Sequence, residues 1–124
     1  MEKLSYLECK VITQDSYEEY RNEEGYDVDQ AIAATLEDSV IRMKHDHIAY
    51  ISGIISLALI SLQENMIPDY IIERLEKFET SDFSMEDEKI YLDDYQYIES
   101  RLTKNDFTII KDRVYKARVK TILK

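Results

Sequence analysis

Tryptophan is absent from this chain, and cysteine, proline and glycine are nearly so: one Cys, one Pro and two Gly in 124 residues. Each scarcity excludes something. A lone Cys9 forbids an internal disulfide and any multi-cysteine zinc site. Sandwiches and barrels need a turn signal roughly every 8–12 residues, which three Gly and Pro residues cannot supply. A glycine-rich phosphate loop cannot be drawn either. There is no Gly-x-Ser-x-Gly, and Cys9 has no histidine near it in the sequence, so neither common nucleophile pattern is present. A buried structural cysteine and no catalytic residue are the expectations. Basic side chains are also a minority, sixteen Lys and Arg against twenty-six Asp and Glu, for a net charge of −10. Such a surface repels free nucleic acid and steers basic proteins toward itself.

The apolar share of 44% suits a globular chain, and the length suits one domain spanning 1–124. Met1-Glu2-Lys3 runs directly into mixed polarity, without the apolar stretch of a secretory leader, so a cytoplasmic location is expected. The charge is lopsided. From Arg101 onward eight Lys and Arg face only Asp106 and Asp112, whereas the first hundred residues hold eight basic and twenty-four acidic side chains. An acidic working surface therefore lies before Arg101.

The longest apolar run, residues 48–62, is broken only by Ser52, Ser56, Ser61 and the small Gly53, with no charge between Asp46 and Glu64. As a helix it reaches only ~22 Å, short of the ~30 Å core of a bilayer. A helix apolar on nearly every side is best buried by other helices. Ser52, Gly53 and Ser56 form a small strip where a neighbour can approach, and the serines can bond carbonyls four residues back.

Around this centre the pattern is all-α, a bundle of five to six helices. Residues 3–24 read as helical but uneven, with stripes Leu4-Leu7-Val11 and Tyr17-Tyr20, a cap at Thr13 or Asp15, and a stop at Gly25. Asp27 with Gln30 forms a capping box before a face of Val28, Ile32, Leu36, Val40 and Met43. Ala31, Thr35 and Ser39 lie beside that face. Pro68 opens a further helix with Ile71, Leu75 and Phe78 inward. Ser84 with Asp87 caps a helix to about Leu102 with Tyr91, Tyr95, Ile98 and Leu102 inward. Thr103 with Asp106 caps the last, whose face is Phe107, Ile110, Val114 and Ala117.

Chemistry has few footholds. His45 and His47 point apart on a helix, and neither an HExxH nor a Cys/His pattern accompanies them, so a solvated junction is favoured over a ligand pair. Glu18-Glu19 and Glu23-Glu24 stand as EExxxEE, to be compared with the EExxE sets that hold magnesium in helical nucleotide pyrophosphatases. No second acidic pair with basic phosphate contacts accompanies them. They read as a solvated face or a partner-facing patch, with a metal site as the remote alternative. No metal and no cofactor is expected.

Ten tyrosines are the more unusual feature, and many lie among carboxylates. Tyr95 and Tyr97 interleave with Asp93 and Asp94, just after Asp87 and Glu88. Tyrosine joins an apolar ring to a polar tip and is favoured at interfaces, and carboxylates speed capture of a basic partner. Two readings stand: amphipathic packing at the edge of the core, or a binding face. The binding reading selects Asp87, Glu88, Asp93, Asp94, Tyr95 and Tyr97, with Glu18, Glu19, Glu23 and Glu24 as a second patch.

Tyr17-Glu18-Glu19-Tyr20, then Gly25-Tyr26-Asp27-Val28-Asp29-Gln30-Ala31-Ile32-Ala33-Ala34-Thr35-Leu36, resembles the immunity proteins numbered third among those of bacterial polymorphic toxin systems. In that family a helix ends at Gly-Tyr, a serine-capped box follows, and Glu-Ala-Ile-Ala-x-Thr opens the second helix. Here Asp27 and Gln30 take the places of the serine and glutamate. A long apolar third helix and a "Leu…Phe…Arg" C-terminal helix also have counterparts, in residues 48–62 and in Leu102, Phe107 and Arg113.

The resemblance implies a cytoplasmic antidote, monomeric or homodimeric, that binds a cognate basic toxin such as a nuclease and contacts neither nucleic acid nor membrane. The competing expectations are a phage or plasmid protein whose carboxylates imitate a nucleic-acid backbone, and a helical metal-dependent hydrolase using Glu18 to Glu24 with His45 or His47.

Overall fold

The computed structural model describes residues 4–43 and 46–102. Helix α1 (Tyr6–Asn22) starts from a reciprocal capping box in which Ser5 Oγ accepts from Glu8 N at 3.1 Å and Glu8 Oε1 accepts from Ser5 N at 3.2 Å. It is one continuous helix, not two segments, and Thr13 lies inside it, not at a cap. Its buried face is Tyr6, Cys9, Thr13 and Tyr17, while the expected stripe of Leu4, Leu7 and Val11 stands 41%, 51% and 54% exposed. The tyrosine face prevails because its neighbours fit it: the Tyr6 ring meets Phe83 and Tyr91, and Ser52 of the central segment donates to Tyr6 O. Thr13 can join them because its hydroxyl donates to Cys9 O at 2.9 Å, whereas the Tyr17 hydroxyl has no hydrogen-bond partner among the described residues. The chain then turns at Gly25, whose φ of +69° suits glycine.

Helix α2 (Val28–Met43) begins at the expected box: Gln30 N donates to Asp27 Oδ1 at 2.8 Å, and Asp27 N to Gln30 Oε1 at 3.1 Å. Its buried residues are Ala31, Ile32, Thr35, Leu36 and Ser39, whereas Val40 is 36% exposed. The expected face is rotated toward the small residues because α2 approaches α3 closely. A Cβ built on Gly53 would meet the Ser39 hydroxyl and stand 2.7 Å from Ser39 Cβ.

Helix α3 (His47–Gln63) is the expected centre. Asp46 caps it, accepting from Ile48 N at 3.0 Å and Ala49 N at 3.4 Å. From Ala49 to Ser61 only Tyr50 and Leu59 are less than fully buried, because α1, α2, α4 and α5 all pack on this helix. Its serines find three different solutions. Ser61 Oγ donates back to Leu57 O at 2.7 Å, Ser52 Oγ crosses to Tyr6 O at 3.3 Å, and Ser56 Oγ has no partner among the described residues. No described helix is long and apolar enough to cross a membrane.

After α3 the chain turns at Asn65, φ 56°, and Pro68 leads into α4 (Asp69–Ile72), only four residues long. The expected helix through Phe78 ends early. Bonds tighten to Arg74 N→Ile71 O and Leu75 N→Ile72 O, and Phe78 N then donates at 2.7 Å to the Tyr91 hydroxyl instead of a helical carbonyl. Ile71 and Leu75 are nevertheless buried, and Phe78 half-buried.

Helix α5 (Met85–Leu102) buries Asp87, Tyr91, Ile98 and Leu102. The fold is all-helical, with no strand among the described residues. Helices α1, α2 and α3 alternate in direction, residues 64–84 return along the bundle, and α5 runs parallel to α1. The side chain of Met43 and residues 103–124, with the expected Thr103 cap and Phe107-Ile110-Val114-Ala117 face, lie outside the described residues.

Candidate functional site

The α5 carboxylates meet α1 first. Asp87 N donates to Ser84 Oγ at 3.1 Å, as the box predicts, but the carboxylate does not turn back to Ser84. It accepts from Tyr6 N at 3.1 Å, so one side chain near the start of α5 also satisfies a free N–H at the start of α1. One level along, Asp94 pairs with Lys10 at 2.7 Å and accepts from the Tyr6 hydroxyl at 3.1 Å. Lys10 Nζ also lies 5.9 Å from the centre of the Tyr6 ring.

Tyr6, Phe83, Tyr91 and Tyr95 form a chain of ring contacts behind these groups, each step close to 6 Å between centroids. Burial, reinforced by the Asp94 charge, pushes the Tyr6 phenol far above its ordinary pKa, and burial raises Tyr91 and Tyr95 as well. Glu88 is half-buried and accepts from Thr80 Oγ1 at 2.7 Å. Asp87, Glu88, Asp94 and Tyr95 therefore serve the fold. Of the α5 candidates, Asp93 and Tyr97 face solvent, one turn apart.

The second patch stays at the surface. Glu18, Glu19, Glu23 and Glu24 are all exposed, and no cation among the described residues pairs with them. Glu18, Glu19 and Glu23 join Asp15 and Asn22 around a shallow hollow of about 410 Å³. Asp15, expected only as a cap, belongs to this cluster. Its spacing of three, four and eight residues from Glu18, Glu19 and Glu23 is the helical signal that places them together. Lys10 marks the α5-facing side of α1, and Glu19, nine residues on, lies roughly 180° around the helix from it. The two patches therefore look out from different sides of α1.

The turn beneath the hollow is firmly built. Tyr20 and Tyr26 stack with centroids 5.5 Å apart, and Arg21 donates to Tyr26 O at 2.9 Å. Tyr20 Oη donates to Asp38 at 2.9 Å, and that bond raises its pKa. Tyr70 Oη donates to Asp29 Oδ1 at 2.9 Å, tying the return segment to the start of α2. Most described tyrosines thus hold elements together. Tyr6, Tyr17 and Tyr91 are buried, and only Tyr26 and Tyr97 are counted as exposed.

No family model, no curated protein and no solved structure matches this chain. The residues 17–36 quoted for the immunity-protein resemblance fall on the end of α1, the Gly25 turn and the capped start of α2. His47 is exposed in the first turn of α3, and His45 lies outside the described residues. Among the described residues no three His, Cys, Asp or Glu side chains converge as a metal ion would require. Cys9 is buried at 1% exposure.

Proposed function

We propose that this protein is a binding protein that captures and neutralises a basic toxin domain, in the manner of the immunity proteins it resembles. The observation that carries the reading is the exposed, cation-free carboxylate cluster on the second half of α1: Asp15, Glu18, Glu19 and Glu23 around an open hollow, with Glu24 beside them. Glu18 accepts only from the neutral Gln14 amide, at 3.2 Å, and carboxylates that no described cation neutralises keep their field available, which a net charge of −10 extends. Arginine or lysine from a toxin's substrate cleft can enter such a hollow and form charge-assisted bonds. Asp93 and Tyr97 offer a smaller contact on α5. Occlusion of the toxin's substrate path requires no catalysis by the antidote.

The test is a search of the neighbouring genes for a basic toxin domain, followed by titration calorimetry of the full chain against it; the lack of such a neighbour would count against the reading. Reversal of Glu18, Glu19 and Glu23 to lysine is expected to weaken binding by about tenfold or more and to flatten its salt dependence. Unchanged affinity would remove the cluster from the interface. Equal binding to several unrelated DNA-binding proteins would favour the nucleic-acid mimic instead.

A further inference from the structure

The seam where α1 meets α5 carries apolar side chains on its outer side. Asp87 and Asp94 both reach α1, through Tyr6 N and Lys10, so the side of α5 that bears them adjoins α1. Ile90 and Tyr97 each follow one of these carboxylates by three residues, which puts them on the same stripe of the helix. On α1, Lys10 marks the side that adjoins α5, and Leu7 precedes it by three residues. Val11, four residues after Leu7, continues that flank. Leu7, Val11 and Tyr97 are 51%, 54% and 53% exposed, and Ile90 is half-buried. Single exposed apolar side chains are ordinary, but four gathered along one seam are a surface that water covers at a cost.

Charge tells what kind of molecule fits there. In the middle of the seam Lys10 and Asp94 neutralise each other at 2.7 Å. Around it Glu8, Glu86 and Asp93 are exposed, and no cation among the described residues pairs with them. The seam therefore has an apolar centre and a rim of one sign. A second copy of the chain would set the same carboxylates against this rim, with a further net charge of −10 behind them. A helix whose aliphatic face is bordered by Lys and Arg matches both the centre and the rim.

Length agrees with charge. Ile90 and Tyr97 lie seven residues apart, about 10 Å along α5. That is the distance between the outer anchors of a helix that presents apolar groups at i, i+3, i+4 and i+7.

We infer that the outer seam of α1 and α5 is a docking surface for a basic amphipathic helix of a partner protein, whose apolar face lies on Leu7, Val11, Ile90 and Tyr97. The inference goes beyond the toxin reading and does not need it. That reading is carried by the hollow on the second half of α1, and the two share only Asp93 and Tyr97.

Fluorescence anisotropy tests it, with a labelled synthetic peptide of about fourteen residues, four helical turns, bearing leucine on one face and lysine elsewhere. Titration with the full chain at physiological salt is expected to give saturable binding. A peptide with glutamate in place of lysine is expected to bind at least about tenfold more weakly. Leu7→Ser with Val11→Ser on α1, and separately Tyr97→Ser on α5, should each weaken binding of the lysine peptide by about tenfold. These substitutions replace exposed side chains, and an unchanged far-UV helical signal would show the bundle intact. Reversal of Glu18, Glu19 and Glu23 to lysine should shift it by no more than about threefold, because salt screens charges beyond the seam. Absence of saturable binding would overturn the inference. So would binding that survives both seam variants and is lost in the glutamate reversal, since charge alone would then hold the peptide. A dimer seen in sedimentation that Leu7→Ser with Val11→Ser abolishes would also overturn it, by making a second copy the occupant. None of these failures bears on the toxin titration, which is read on Glu18, Glu19 and Glu23.

Discussion

The backbone N–H of Tyr6 donates to the carboxylate of Asp87 at 3.1 Å across 81 residues of chain. That carboxylate lies near the first turns of both α1 and α5, because Asp87 N is held by Ser84 at the same time. Two helix N-termini, each with unsatisfied N–H groups and a partial positive charge, share one buried anion.

Asp87→Ala is therefore expected to cost about 2 kcal/mol, the usual loss for a buried hydrogen bond to a charged group. Asp87→Asn keeps an acceptor of the same shape and should cost about half as much. Urea denaturation measures both. Faster exchange of the Tyr6 amide in the alanine variant would locate the loss at the start of α1.

Gly53→Ala would place a methyl group against the hydroxyl and Cβ of Ser39, which is itself 1% exposed and cannot swing into solvent. Overpacking of this kind costs about 1–3 kcal/mol. Ser39→Gly clears both offending atoms at a helix-propensity cost of about 0.5 kcal/mol. The double variant is expected to be more stable than the sum of the two singles, and a double-mutant cycle would read that coupling directly. Strict additivity would mean that α2 and α3 are not in close contact at this point.

Alkali should loosen the bundle. Burial raises the phenols of Tyr6, Tyr70 and Tyr91 above the ordinary value, with the Asp94 charge adding at Tyr6 and the Asp29 bond at Tyr70. A folded chain that holds phenolic protons more tightly than the unfolded chain has that stability in full below the unfolded pKa of about 10. It loses it as pH climbs through the raised values. The urea midpoint is expected to show no tyrosine-linked fall up to about pH 9.5 and to decline above pH 10. Tyrosinate absorbance should appear together with unfolding, and Tyr6→Phe should make the decline shallower. A midpoint that stays level to pH 11 would contradict the burial of these hydroxyls.

The central helix was legible in the sequence because a segment apolar on every side has no phase to mistake. Both capping signals, Asp27 with Gln30 and Ser84 with Asp87, were legible because their partners lie three residues apart. The buried side of α1 was not. Leu4-Leu7-Val11 and Tyr6-Cys9-Thr13-Tyr17 both follow a helical period, and only the neighbours decide between them. The non-helical course at Phe78, whose N–H goes to the Tyr91 hydroxyl thirteen residues beyond, is something no local pattern reports.

The candidate site divides along the same line. Glu18, Glu19 and Glu23 sit at helical spacing on one element, so their grouping could be read from the chain. Asp87 and Asp94 read as free negative charge on α5 because their partners, Tyr6 and Lys10, belong to a helix more than eighty residues earlier. Sequence displays the sign of a charge, but the fold decides whether anything remains for a visitor.

The parallel pairing of α1 with α5 also sets an order of events during synthesis. α1, α2 and α3 can assemble as soon as residue 63 is available, but the flank of α3 reserved for Tyr91 and Ile98 stays uncovered until α5 has been made. At about 5–20 residues per second, the thirty-nine residues from 63 to 102 take roughly 2–8 s. Through that interval the nascent chain presents its greasiest helix half-wrapped, so α5, the last of the described helices to be made, is also the one that closes the window for aggregation.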